Sequence, residues 1–168
     1  YRLDDAAVEQ SWTDTGLQYR VPTIPPERVV AVGYTSGSTG RPKSNAKTWS
    51  SFAASTRLNC ERLREVALLS NHGALPWIVA TVPSQHMYGM EMSVLMPFLG
   101  EMGVHASNPL YPADISAALQ DLPEPRVLVT TPVHLRTLVE SGIELPRVAA
   151  IVSATAPLTQ ELAQEVER

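Results

Sequence analysis

The stretch Val29-Val30-Ala31-Val32-Gly33-Tyr34-Thr35-Ser36-Gly37-Ser38-Thr39-Gly40-Arg41-Pro42-Lys43 joins an apolar run to a loop of glycines and hydroxyl residues that ends on a lysine. Val29-Val30-Ala31-Val32 is β-branched and short, the composition of a parallel strand buried on both faces. A helical pattern begins near Thr48, so the spacing predicts a strand–loop–helix junction. Such a junction suits a multiply charged anion. Glycines let backbone N–H groups approach oxygens, hydroxyls donate, and the lysine meets the net charge. The ligand implied is a polyphosphate, although composition alone is equally that of a flexible turn. The phosphate loop G-x-x-x-x-G-K-[ST] does not fit, because Arg41-Pro42 separate Gly40 from Lys43. The dinucleotide spacing G-x-G-x-x-G is also missing.

Working outward, Pro22, Pro25 and Pro26 predict an extended entry into the first strand, within a lead-in that covers residues 1–27. Within it Leu17-Gln18-Tyr19-Arg20-Val21 alternates like an edge strand. After the loop, Trp49, Phe52, Thr56, Cys60, Leu63 and Ala67 form one apolar stripe of a helix over 48–69, with Thr48 as its N-cap and Gly73 as its stop. Strands are expected at 76–82, 103–106, 127–130 and 149–153. Helices are expected at 90–99, 113–122, 132–140 and 159–167, with Pro132 at a first helical position. Strand then helix, repeated along 28–168, predicts a three-layer α/β/α unit on a mostly parallel sheet. Ligands of such sheets sit at the carboxyl ends of the strands, where the loop at 35–43, the turn at His86 and the turn at Ser153 all emerge.

Several function classes are excluded by composition. The chain has 168 residues, enough for one domain with a real core, and is 44% hydrophobic. Its mean hydropathy is −0.05, and runs such as Leu75–Ala80 are too short to span a bilayer, so neither a membrane nor an export signal is expected. The single cysteine, Cys60, allows no internal disulfide and reads as a small buried residue, which fits a cytoplasmic location. A net charge of −4 without a basic stripe argues against nucleic acid as a partner. His72, His105 and His134 have no metal-ligand spacing and read as structural or exposed, and no metal ligand is assigned.

Tyr34-Thr35-Ser36-Gly37-Ser38-Thr39-Gly40-Arg41-Pro42-Lys43 closely resembles the phosphate-binding loop of the adenylate-forming superfamily, which includes acyl- and aryl-CoA synthetases, peptide-synthetase adenylation domains and luciferases. Pro83-Ser84-Gln85-His86-Met87-Tyr88-Gly89 resembles that family's P-x-x-H-x-x-G segment. Ile151-Val152-Ser153-Ala154-Thr155-Ala156-Pro157-Leu158 is similar to its S-G-G-A-P-L turn, with Ala154 and Thr155 where the family has glycines. After Lys43, Ser44-Asn45-Ala46-Lys47-Thr48-Trp49 departs from the family's Gly and Thr-His continuation.

The resemblance implies ATP-dependent activation of a carboxylic acid as an acyl adenylate, then thioester formation with CoA or a phosphopantetheinyl carrier protein. It implies Thr35, Ser36, Ser38 and Thr39 as phosphate donors, Gly37 and Gly40 as the backbone that shapes the loop, and Lys43 as catalytic charge. It places His86 beside the reacting carboxylate, with Tyr88 and Gly89 at the acyl group and Thr155 and Ala156 at adenine. Mg²⁺ is implied as well, its glutamate ligand expected beyond residue 168. The resemblance covers part of a family enzyme's large N-terminal domain, so the chain is expected to be a fragment that does not turn over alone. A non-catalytic nucleotide-binding or scaffold module retaining the loop is the alternative.

Overall fold

The computed structural model describes residues 23–35, 43–70 and 74–167, with the backbone alone at Thr35 and at 67–70. The strand expected at 17–21, the helix stop at Gly73 and most of the lead-in lie outside the described residues, as do Ser36, Gly37, Ser38, Thr39 and Gly40. The end of the lead-in is a turn rather than an extended entry, closed by the Arg28 N–H on the Pro25 carbonyl at 3.0 Å. It then clamps the following helix: the Trp49 and Ser50 N–H groups donate to the Arg28 and Pro26 carbonyls at 2.8 and 2.9 Å.

Strand β1 (Val29–Thr35) is not the buried parallel strand that its composition predicts. It pairs antiparallel with β2 (Lys43–Thr48), with a register irregularity between Val29 and Ala31. β1 is therefore followed by an antiparallel strand, and the helix starts only after that second strand. Val29, Val30 and Val32 are 49%, 41% and 45% exposed. A continuous apolar run reads as buried on both faces, but a two-stranded ribbon has no layer to supply the second face. β2, Lys43-Ser44-Asn45-Ala46-Lys47-Thr48, has poor strand propensity and is held extended by its cross-strand partner.

Helix α1 (Trp49–Ser70) follows. The Thr48 hydroxyl accepts from the Ser51 N–H at 3.4 Å, so Thr48 occupies the N-cap as its residue type predicts. Phe52, Thr56, Cys60 and Leu63 of the predicted stripe are buried. The four-stranded sheet is parallel throughout, in the order β4 (Gly103–Val104), β3 (Trp77–Ala80), β5 (Arg126–Thr130), β6 (Ala150–Ser153). Between β3 and β4 the chain runs through α2 (Met87–Gly89), a π-helix (Met90–Leu95) and α3 (Met96–Gly100). Helices α4 (Pro112–Gln120), α5 (Pro132–Ser141) and α6 (Gln160–Val166) complete the described fold.

Successive strand residues face opposite layers, and the core divides accordingly. Ile78, Ala80, Val127 and Val129 pack with Cys60, Leu63, Met92 and Met96 on the α1 side. Val79 and Leu128 pack with Ile115, Leu119, Leu135 and Leu162 on the α4–α6 side. Fully burying each such side chain contributes about 1.5–3 kcal/mol. The result is the three-layer α/β/α unit that the element order predicts, reduced by one strand.

Candidate functional site

Because β3, β5 and β6 are parallel, the turns that follow them leave the same edge of the sheet. The Tyr88 hydroxyl in the turn after β3 donates to the Val152 carbonyl of β6 at 2.9 Å. Next to it, the Met87 Cε lies 2.6 Å from where a Cβ on Gly33 of β1 would sit, so Met87 packs on the hairpin backbone. Three segments far apart in sequence are thereby tied together: the β1–β2 hairpin, the His86 turn and the end of β6.

Burial pushes the Tyr88 phenol up from its usual value of 10.0 to about 12. The folded state holds that proton where the unfolded chain has lost it, so the contribution is complete below pH ~10 and fades as pH rises toward ~12. Tyr88→Phe is expected to cost about 1 kcal/mol near neutral pH. Urea titrations across alkaline pH check this: the variant should lose less stability than the parent between those two values.

His86 occupies the N-cap position of α2, with its backbone in the extended region and its imidazole exposed and not used as a cap. Its N–H donates to the Pro83 carbonyl at 3.1 Å, and its carbonyl accepts from the Met90 N–H at 2.7 Å. Both backbone polar groups are thus satisfied within the turn, leaving the ring as the group presented outward. Gly89 is buried, and a Cβ there would sit 2.1 Å from the Pro83 carbonyl oxygen. The glycine thus has a structural reason in the close approach of its own turn. The π-helix that follows is a rare form that recurs frequently at functional sites. Ser93 braces its first turn by donating to the Gly89 carbonyl at 2.7 Å.

At the end of β6, Thr155 has φ +78°, a conformation that glycine adopts freely and a β-branched residue does not. At this position the backbone takes a conformation suited to the glycine of the resembled motif. Thr155 and Ala156 are exposed, and the Ser153 Oγ is buried with no hydrogen-bond partner. Strain of this kind costs about 1–3 kcal/mol, against about 0.4–1 kcal/mol from the looser unfolded chain of a glycine variant. Thr155→Gly is expected to raise the melting temperature by about 2–4 °C, the shift that about 1 kcal/mol produces at this size. Differential scanning calorimetry checks it.

Thr35 and Lys43 are direct register partners across the hairpin. They flank Ser36, Gly37, Ser38, Thr39 and Gly40, which lie outside the described residues. Lys43 is exposed.

One polar cluster is not predicted by any spacing. The Thr81 Oγ1 lies 2.9 Å from the Thr130 Oγ1 and 2.7 Å from the His134 Nδ1, with both threonines fully buried. It sits at the carboxyl ends of β3 and β5, beneath the turns. The only local signal is a threonine closing each apolar run, Ile78-Val79-Ala80-Thr81 and Val127-Leu128-Val129-Thr130. His134, expected to be structural or exposed, is hydrogen-bonded there. Cys60 is buried with its thiol near the Met96 carbonyl at 3.7 Å, and burial raises its pKa first of all.

The buried Ser153 hydroxyl has no hydrogen-bond partner, and it lies two residues before the left-handed position at Thr155. No group of three or more His, Cys, Asp or Glu among the described residues is placed to hold a metal ion. Among the described residues no helix is long and apolar enough to cross a membrane.

No curated protein sequence matches the chain. Solved structures that share the fold include the three that follow. O-succinylbenzoate coenzyme A synthetase (MenE) from Bacillus subtilis, in complex with AMP, is 18% identical with a TM-score of 0.66, over 86% of this chain and 28% of that one. ATP-bound MatB from Rhodopseudomonas palustris is 19% identical with a TM-score of 0.61, over 85% of this chain and 27% of that one. MbtA from Mycobacterium smegmatis is 15% identical with a TM-score of 0.66, over 91% of this chain and 28% of that one. This chain thus spans just over a quarter of their length. A sequence model described as AMP-binding enzyme matches residues 2–168. With that match over nearly its whole length, the chain belongs to the AMP-binding enzyme family.

Proposed function

We propose that the chain supplies the phosphate and adenine side of a site where ATP activates a carboxylic acid, the acyl group then passing to the thiol of CoA or of a carrier-protein phosphopantetheine. The observation that carries this is the Tyr88–Val152 hydrogen bond, which draws the His86 turn against β6 beside the hairpin. The bound AMP and ATP of the structural relatives support a nucleotide as the ligand.

In the reaction a carboxylate oxygen bonds to the α-phosphorus while the bond to pyrophosphate breaks, so negative charge grows on the leaving group. Lys43 and the hydroxyls of Thr35, Ser36, Ser38 and Thr39 are the groups that meet that charge, with Gly37 and Gly40 shaping the backbone around it. His86 presents an exposed imidazole on the side from which the acid arrives, and Tyr88 and Gly89 hold the turn that carries it. Thr155 and Ala156 line the adenine side. Mg²⁺ would be held by groups outside the described residues, where it would add positive charge beside the leaving pyrophosphate.

Titration calorimetry on the 168-residue chain tests the ligand. ATP and pyrophosphate are expected to compete for one site, and the absence of such competition would remove the nucleotide from the proposal. With 28% of the relative's length, the chain alone is expected to give no acid-dependent exchange of labelled pyrophosphate into ATP. Robust exchange with any acid of a panel would show it to be a complete catalyst.

A further inference from the structure

We propose that Ser107, His105 and Asp121 form a second, hydrolytic centre, with Ser107 as a nucleophile toward small carboxylic esters. His105 directly follows β4, and its N–H extends that strand's pairing by donating to the Ile78 carbonyl at 2.8 Å. The ring is thereby fixed at the sheet edge, on the side covered by α4. Its Nδ1 faces two groups of one residue, the Ser107 N–H at 3.2 Å and the Ser107 Oγ at 2.7 Å. Two N–H groups cannot point at each other, so Nδ1 is the acceptor, the ring proton sits on Nε2, and the Ser107 hydroxyl is a donor.

Nε2 then faces the Asp121 carboxylate at 3.7 Å, beyond hydrogen-bond range. Hydroxyl to imidazole nitrogen, and the opposite nitrogen to carboxylate, is the polarity that activates a serine. Here the two ring nitrogens exchange their usual roles, which leaves the proton path from serine to base intact. The His105 side chain is 21% exposed, and Asp121 is 73% exposed.

These side chains line a cavity of about 390 Å³ together with Asn108, Pro109 and Asp114, a volume within the range that holds small ligands. The cavity lies across the sheet from α1 and Tyr88, and it uses no residue assigned to the nucleotide. In the reaction the Ser107 Oγ bonds to the ester carbonyl carbon as its proton passes to the His105 Nδ1. The C–O bond to the alcohol breaks, the alcohol leaves with that proton, and acyl-Ser107 remains. Water then attacks the acyl carbon and gives a proton to Nδ1, which returns it to the departing Ser107 oxygen. The sum is ester plus water to acid plus alcohol.

The test is treatment of the 168-residue chain with a fluorophosphonate, read by peptide mass, and with p-nitrophenyl acetate, read by p-nitrophenol release. A covalent adduct is expected at Ser107, with none in Ser107→Ala, whose side chain is exposed so that its fold is retained. His105→Gln, checked for folding by circular dichroism, is expected to lose about 10²-fold or more in both rates, the smaller end of what a positioned base contributes. Asp121→Asn is expected to lose about fivefold or less, because its carboxylate is screened by solvent. No adduct, an adduct at another residue, or labelling undiminished in His105→Gln would each reduce the group to a hydrogen-bonded turn and overturn the proposal.

Discussion

Gly89→Ala is expected to destabilise the chain by about 3 kcal/mol, at the upper end of what overpacking costs. Two effects compete at this position, and they have opposite signs. Gly89 has helical dihedrals, φ −63° and ψ −42°, so on propensity alone alanine would gain about 1 kcal/mol. Against that, the added Cβ would lie 2.1 Å from the Pro83 oxygen, 2.7 Å from the Pro83 carbon and 3.2 Å from the Ser84 nitrogen. All three are backbone atoms, which cannot swing aside as a side-chain tip can. Relief requires opening the turn, with loss of the His86 N–H bond to Pro83, and it displaces Met87 and Tyr88 from the hairpin and β6. The steric term dominates. A melting temperature lower by about 6–12 °C is expected, on the scaling of about 2–4 °C per kcal/mol. A rise would mean that the turn is not packed as described.

Lys43→Ala is expected to leave stability within about 0.5 kcal/mol of the parent, since the side chain is exposed and no packing is lost. Its effect should fall on the nucleotide. In a protein that carries the chain together with the remaining length of its relatives, the pyrophosphate-exchange rate is expected to drop about 10²–10³-fold, the ordinary result of removing one preorganised charge-stabilising donor. In the 168-residue chain, calorimetry should show ATP affinity weakened about tenfold or more, the loss of one charged contact. Unchanged affinity would make the hairpin loop a solvated turn and remove Lys43 from the site. The pair of measurements separates charge from structure, because only a ligand contact moves affinity while leaving the melting curve in place.

Much of the fold could be read from residue order because the signals involved are local. Thr48 before the helical stripe and Pro132 at the start of α5 act within one turn, and both occupy the positions predicted. The apolar runs of β3 and β5 likewise mark strands buried on both faces, and that of β6 marks a half-buried strand, with bounds that agree to within a few residues. The same rule misled at Val29–Val32, since an apolar run carries no information about whether a second layer exists to cover it. The π-helix at Met90–Leu95 was missed for a related reason: a wider helical turn leaves nearly the same spacing of apolar residues as an ordinary one.

The candidate site divides along the same line. Motif residues such as His86 and Lys43 were legible because their types and spacings are unusual in combination. Three other features were not: the Thr81–Thr130–His134 cluster, the unpartnered Ser153 hydroxyl and the facing of Ser107 on His105 toward Asp121. The first two depend on which strand lies beside which, and neighbouring residues do not encode that; the Ser107–His105 contact is local, and only its approach to Asp121 is tertiary.

By itself the amino-acid sequence determined the alternation of elements, the glycine- and hydroxyl-rich loop and the family to which the motifs point. Only the tertiary structure decided that β1 folds back on β2, that Tyr88 reaches Val152 and that Thr155 is held in a glycine's conformation. The physical reason is range. Propensities and caps act over a few residues, whereas strand order and the contacts it creates join residues whose separation along the chain gives no hint of their meeting.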